Sequence, residues 1–186
     1  MREIVREHAR VVILDYVGEY GADVGATASW GSDQALTALE LASRADRFRI
    51  SIRDVYDEDR LELLRVLFLL RKYLLVVEEA STLCTPGTIP NELERIVAIG
   101  RHQSISQIYI AQRPSMIHRL VTSQSDYVVA FQQTEPIDVQ YLVARFGSSM
   151  ERVRELELHE FIVGGKLERA PTALRRRARA AAGKKS

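Results

Sequence analysis

Leu74-Leu75-Val76-Val77-Glu78-Glu79-Ala80 is an apolar run of strand length that ends in two adjacent carboxylates. Working outward, the run Gln107-Ile108-Tyr109-Ile110-Ala111 ends in Gln112-Arg113-Pro114, and the earlier run Val11-Val12-Ile13-Leu14 ends in Asp15. Continuous aliphatic and β-branched stretches of this length suit strands buried on both faces, as a parallel sheet requires. Helical patterns stand between them. Residues 33–45 place Leu36, Leu39 and Ala42 on one face. Residues 57–70 open with acids and stop before Arg71-Lys72, in keeping with the helix dipole. Asn91 reads as the cap of a helix running to about Gly100. Strands alternating with helices predict an α/β domain with a mostly parallel sheet flanked by helices. In such sheets ligands sit at the carboxyl ends of the strands, where Asp15, Glu78, Glu79 and Gln112 all fall.

The remaining segments are less regular. Residues 2–9 read as the end of a helix, residues 16–32 as a glycine-containing loop, and residues 48–52 as a short alternating strand. Pro86-Gly87 marks a turn. A loop and short helix follow Pro114. Tyr127-Val128-Val129-Ala130-Phe131 reads as another buried strand, residues 135–146 and 149–156 as helices, and residues 161–168 as a hairpin turning at Gly164-Gly165. No internal repeat is present.

At 186 residues, 46% hydrophobic and 27% charged, the chain has the size and composition of a globular domain. No apolar run approaches the roughly 20 residues that span a bilayer, and residues 1–7 contain no apolar signal region. The single cysteine, Cys84, rules out an internal disulfide or a cysteine-built zinc site and suits a reducing cytoplasm. The four histidines are scattered without metal-ligand spacing. The net charge of +1 hides an asymmetry: residues 175–186 carry six basic side chains, and the rest of the chain sums to −5. A basic tail on an acidic body suits an anionic partner such as DNA, or serves only as a solubilising tail. The expected organisation is a body over residues 1–170 and a basic tail over 171–186.

The paired strand ends suggest phosphate chemistry. Glu79 is placed to polarise a water for attack on a γ-phosphate, Glu78 to hold magnesium directly or through its waters, and Gln112 to sense the phosphate or orient the water. Arg101, just after the helix-ending Gly100, suits a finger reaching a neighbouring subunit's phosphate. The plainer account of Glu78-Glu79 is a solvated strand end.

The order of these elements resembles the HerA/FtsK-type P-loop ATPases, over about residues 5–165. Val12-Ile13-Leu14-Asp15-Tyr16-Val17-Gly18-Glu19-Tyr20-Gly21 is similar to that family's second strand and its D-x-x-G-E-Y turn. Residues 74–80 resemble the Walker B strand, with Glu78 where an aspartate is usual. Gly100-Arg101 followed by Gln112-Arg113-Pro114-Ser115 resembles the family's G-R…Q-R-P-S segment. The resemblance implies a RecA-like core, Mg-ATP held between subunits of a homo-oligomeric ring, and DNA as the substrate moved. It gives Glu79 as base, Glu78 as magnesium carboxylate, Gln112 as sensor, Arg101 as finger and Asp15 as part of the nucleotide site.

One part is missing. The 186 residues contain no G-x-x-x-x-G-K-[ST] loop and no strand to precede it. Met1 is therefore expected to be an internal methionine of a longer reading frame, and the chain as it stands to hydrolyse ATP poorly or not at all. Two other readings remain open: a non-catalytic subunit that partners an intact ATPase, and a nucleic-acid-binding scaffold acting through its tail.

Overall fold

The computed structural model describes residues 2–54, 57–166 and 174. These residues fall into two compact units, 1–112 and 113–186.

The first unit is a five-stranded parallel sheet with strand order β2-β3-β1-β4-β5. In chain order its elements are α1 (Arg2–Glu7), β1 (Arg10–Leu14), α2 (Tyr20–Asp23), β2 (Thr27–Trp30), α3 (Gly31–Ser43), β3 (Phe48–Arg53), α4 (Asp57–Leu70), β4 (Tyr73–Val77), α5 (Asn91–Ile99) and β5 (Ile105–Tyr109). The central strands β1 and β4 are the apolar runs of the sequence, and Val11, Val12, Ile13, Leu75 and Val76 are completely buried. Alternate residues serve opposite faces. Val11, Ile13, Leu74 and Val76 pack with Val5 and Val24 on one side, joined by Ile108 and Ile110. Val12 and Leu75, of opposite parity, are equally buried, and α3, α4 and α5 bury Leu39, Leu64, Leu67, Leu93 and Ile96. The expected α/β class and mostly parallel sheet are what the structure contains.

Several local expectations differ. Residues 16–32 are not all loop: Thr27–Trp30 forms the edge strand β2, paired in parallel with β3. Its short polar sequence between glycines hides it, since an edge strand has no need of a double apolar face. Asn91 begins α5 rather than capping it; Pro90 is the N-cap residue. Strand β5 lies two residues earlier than expected, although the Ile110 amide still donates to the Val77 carbonyl at 2.9 Å, so pairing continues to the strand's end.

The second unit contains α6 (Arg119–Gln124), β6 (Tyr127–Ala130), α7 (Pro136–Phe146), a 3₁₀ segment Ser148–Glu155 and β7 (Ile162–Gly165). Ala130, Val139, Leu142, Met150, Val153 and Leu156 form its core. The strand expected over 127–131 is only half-buried and pairs with β7 in a two-stranded antiparallel sheet. Gly164-Gly165 lies inside β7 rather than at a hairpin turn. Glycine is needed there for close approach: a Cβ on Gly164 would stand 2.7 Å from the Met150 methyl carbon, and one on Gly165 (φ +86°) 2.6 Å from the Asp126 carbonyl oxygen. The basic tail expected over 171–186 lies outside the described residues, Leu174 apart.

Candidate functional site

Parallel register brings the strand ends together. Leu14 pairs with Val77 and Val77 with Tyr109, so Asp15, Glu78 and Gln112 follow the carboxyl ends of three adjacent strands. The Glu78 amide donates to the Leu14 carbonyl at 3.0 Å and the Asp15 amide to the Ile52 carbonyl at 2.9 Å, extending both ladders one residue further.

Asp15 is a fully buried carboxylate that gathers the turn following β1. Its Oδ1 accepts from the amides of Gly18 (3.0 Å) and Tyr20 (3.4 Å). Its Oδ2 accepts from the Gly21 amide (2.9 Å), the Ser51 hydroxyl (2.9 Å) and the Arg53 guanidinium (3.3 Å). Gly21 has no room for a side chain, since a Cβ would lie 2.5 Å from Ser51 Oγ. Burial by itself would raise the Asp15 pKa, but hydrogen bonds from Glu78, Gly21, Ser51 and Tyr20 outweigh it and hold the carboxyl below its ordinary range.

Glu78 is the opposite case. It is 4% exposed. Burial, and next its hydrogen bond with Asp15, push it up from an ordinary 4.5 to about 7, against the pull of the Val17 amide. That amide donates to Glu78 Oε2 at 3.1 Å. The two side chains therefore form a coupled pair whose environments push Glu78 up and hold Asp15 down.

Glu79 turns away from this pair. It adopts left-handed backbone (φ 45°, ψ 57°), a conformation that costs a non-glycine residue about 1–2 kcal/mol. The turn is held by the Thr82 amide (2.8 Å) and hydroxyl (2.9 Å), both donating to the Glu79 carbonyl, and by the Ala80 amide donating to the Ile110 carbonyl (2.8 Å). Its half-exposed carboxylate accepts from Gln112 Nε2 at 2.8 Å. The two residues singled out at neighbouring strand ends thus touch.

Arg101 is exposed and lies at the other edge of the sheet, in the 3₁₀ turn Gly100–Gln103 that precedes β5. A five-residue strand, about 16 Å long, separates it from Gln112, so within one chain it does not join the cluster.

The donor set does not fit a directly bound magnesium. A carboxylate offers about four lone-pair sites; Asp15 already receives five donors besides Glu78, and Glu78 is committed to Val17 and Asp15. Among the described residues no group of three His, Cys, Asp or Glu side chains is placed to hold a metal ion. Ser51, Arg53 and the Val17 amide escaped the sequence reading. The available signal was the alternation of residues 48–53, which places Ser51 on the same face as Arg49 and Arg53.

Neither a protein-family model nor a curated protein matches the sequence. Solved structures do match the fold. The genome-packaging NTPase B204 from Sulfolobus turreted icosahedral virus 2, in complex with AMP, superposes with a TM-score of 0.72 at 17% identity, covering 91% of this chain and 84% of that one. Its complex with AMPPCP matches equally well, with a TM-score of 0.72 at 16% identity and the same coverage. The chain has the fold of a genome-packaging NTPase. The DNA-packaging ATPase B204 from Sulfolobus Turreted Icosahedral Virus matches this packaging-NTPase fold with a TM-score of 0.59 at 16% identity, over 83% of this chain and 91% of that one. No helix among the described residues is long and apolar enough to cross a membrane.

Proposed function

We propose that this chain is part of an ATP-driven DNA-translocating or packaging motor of the HerA/FtsK type, with residues 1–170 as its body and 171–186 as a basic tail. The observation that carries the reading is the 2.8 Å contact between Glu79 and Gln112 at the ends of adjacent parallel strands, on a fold shared with packaging NTPases. A carboxylate held by a neighbouring amide, on backbone fixed in an uncommon conformation, is suited to orienting a water. In this reading Glu79 is the base and Gln112 positions it, so that a change at the end of β5 moves the carboxylate. Arg101, on the far edge, serves a neighbouring subunit of a homo-oligomeric ring. Bound Mg-ATP supplies the anhydride whose cleavage drives movement. The sequence has no glycine-rich loop to hold its phosphates, and a magnesium role for Glu78 requires its pairing with Asp15 to open. Asp15 supports the nucleotide site through the turn it organises.

The commitment of Glu78 to Val17 and Asp15 favours a second reading, a non-catalytic subunit that assembles with an intact ATPase. One experiment separates the two. The tagged chain is isolated with the subunits that accompany it, and DNA-stimulated ATP hydrolysis is compared with that of Glu79→Gln. The motor reading expects hydrolysis to fall at least about 100-fold with assembly unchanged. Hydrolysis unaffected by Glu79→Gln, in an assembly that falls apart without this chain, would establish the non-catalytic role instead. The isolated chain is expected to turn over ATP poorly, and a robust rate from it would contradict the missing-loop argument.

A further inference from the structure

The amino-terminal edge of the sheet carries more charge than the single residue Arg101 assigned above to a neighbouring subunit. Between α4 and β4 stand Arg71 and Lys72, both in left-handed backbone (φ 55° and 51°). The turn Gly100–Gln103 enters β5 through Ser104, left-handed as well (φ 57°). These two loops are neighbours, since Tyr73 pairs with Ile105 and the Lys72 amide donates to the Gln103 carbonyl at 3.0 Å. Arg71, Lys72, Arg101 and His102 are all exposed. No ion pair among the described residues involves Arg71, Lys72 or Arg101.

A helix followed by left-handed residues ordinarily takes glycine or asparagine there. Arginine and lysine at two successive such positions are held against their conformational preference, which points to a use for the side chains. Neutralising helix ends does not account for them. Each helix C-terminus carries about half a negative charge, so α4 and α5 together present about one against three full positive charges. Glu7 and Asp46, just before β1 and β3, are equalled in number by Arg10 and Arg47.

We propose that residues 71–72 and 101–102 form a surface that binds the phosphate backbone of a DNA duplex. The ligand is a polyanion rather than one enclosed phosphate. The Lys72 and Ser104 amides are already spent on carbonyls, the latter on that of Arg101, so no backbone cradle is available. Flexible exposed cations strung along adjacent strands, about 5 Å apart, contact phosphates without reading bases. The inference rests on the DNA-handling part of the proposed function and not on its nucleotide part.

The test is anisotropy of a short labelled duplex with the full chain, from about 50 to 200 mM salt. The triple variant Arg71→Asn, Lys72→Asn, Arg101→Gln removes the charges while asparagine tolerates the left-handed backbone; circular dichroism checks that it folds. Each lost phosphate contact lowers the slope of log affinity against log salt by about 0.9. The triple variant is expected to lower it by about 2.7, so that wild type loses about 40-fold more affinity than the variant across that range. A control with Arg44→Gln, Arg65→Gln and Arg95→Gln removes equal charge elsewhere and should leave the slope unchanged. Tripolyphosphate should displace far less DNA than unlabelled duplex at equal phosphate. An unchanged slope in the triple variant, an equal fall in the control, or equal displacement by tripolyphosphate would overturn the surface alone. Failure of wild type to bind DNA would overturn it together with the DNA-handling reading.

Discussion

Glu78→Gln should stabilise this protein above neutral pH, although it alters a buried side chain at the candidate site. In the folded chain Glu78 is raised from 4.5 to about 7 by burial and by its bond to Asp15. The unfolded chain retains the ordinary value. Between those two values the folded state binds more protons than the unfolded state, so stability falls as pH rises. At about 1.4 kcal/mol for each tenfold change in proton affinity, the full loss is about 3 kcal/mol, most of it incurred between about pH 5 and pH 8. Glutamine reproduces the protonated form: its carbonyl accepts from the Val17 amide and its amide donates to Asp15. The variant therefore keeps at pH 8 the interactions that wild type retains only in acid. Urea unfolding at a series of pH values, in metal-free buffer, measures both proteins. Contributions from every other titratable group are common to both proteins and cancel in the difference. That difference should be small near pH 5 and reach about 2–3 kcal/mol in favour of the variant near pH 8. A difference independent of pH, or a variant less stable than wild type at pH 8, would refute the protonated pair.

Two further perturbations test the packing that builds each unit. Gly21→Ala should destabilise the first unit by about 2 kcal/mol, because its Cβ would stand 2.5 Å from Ser51 Oγ and 2.6 Å from Ser51 Cβ. A double-mutant cycle with Ser51→Gly should recover much of that loss, whereas additive losses would show that the contact is not the cause. In the second unit Asp138 is fully buried and accepts from Arg113 Nε (2.9 Å) and the Ser115 amide (3.0 Å). Burial would raise its pKa, but those hydrogen bonds and the Arg113 charge outweigh it, so the folded value is lowered from 3.8. Asp138→Asn should cost about 2 kcal/mol near neutral pH. The gap should close in thermal melts as pH falls below about 3.8, where the wild-type carboxylate takes up its proton.

What the sequence showed and what it hid divide along one physical line. Strands β1 and β4 were legible because both faces are buried, so nearly every residue is apolar, and Asp57–Leu70 was legible because acids open it and basic residues follow it. Thr27–Trp30 was not, because an edge strand is defined by its partner β3 rather than by its own composition. Gly164-Gly165 misled for a related reason: glycine serves a tight turn and a close approach equally well, and only the position of Met150 and Asp126 decides between them.

The same line runs through the candidate site. Glu79 and Gln112 were legible as a pair because parallel neighbours must deliver their following residues to one edge, and the 2.8 Å contact is a consequence of that topology. The fate of Asp15 and Glu78 was not legible. It is set by backbone amides of Val17, Gly18, Tyr20 and Gly21 and by Ser51 and Arg53 on a third strand. Two acids at adjacent strand ends look alike in sequence. Here three-dimensional donors sort them: five donors help hold the Asp15 carboxyl down, burial pushes Glu78 up, and Glu79, on left-handed backbone, is half-exposed beside Gln112. The first acid of the pair is therefore tied to the turn after β1, while the second stands half-exposed beside Gln112.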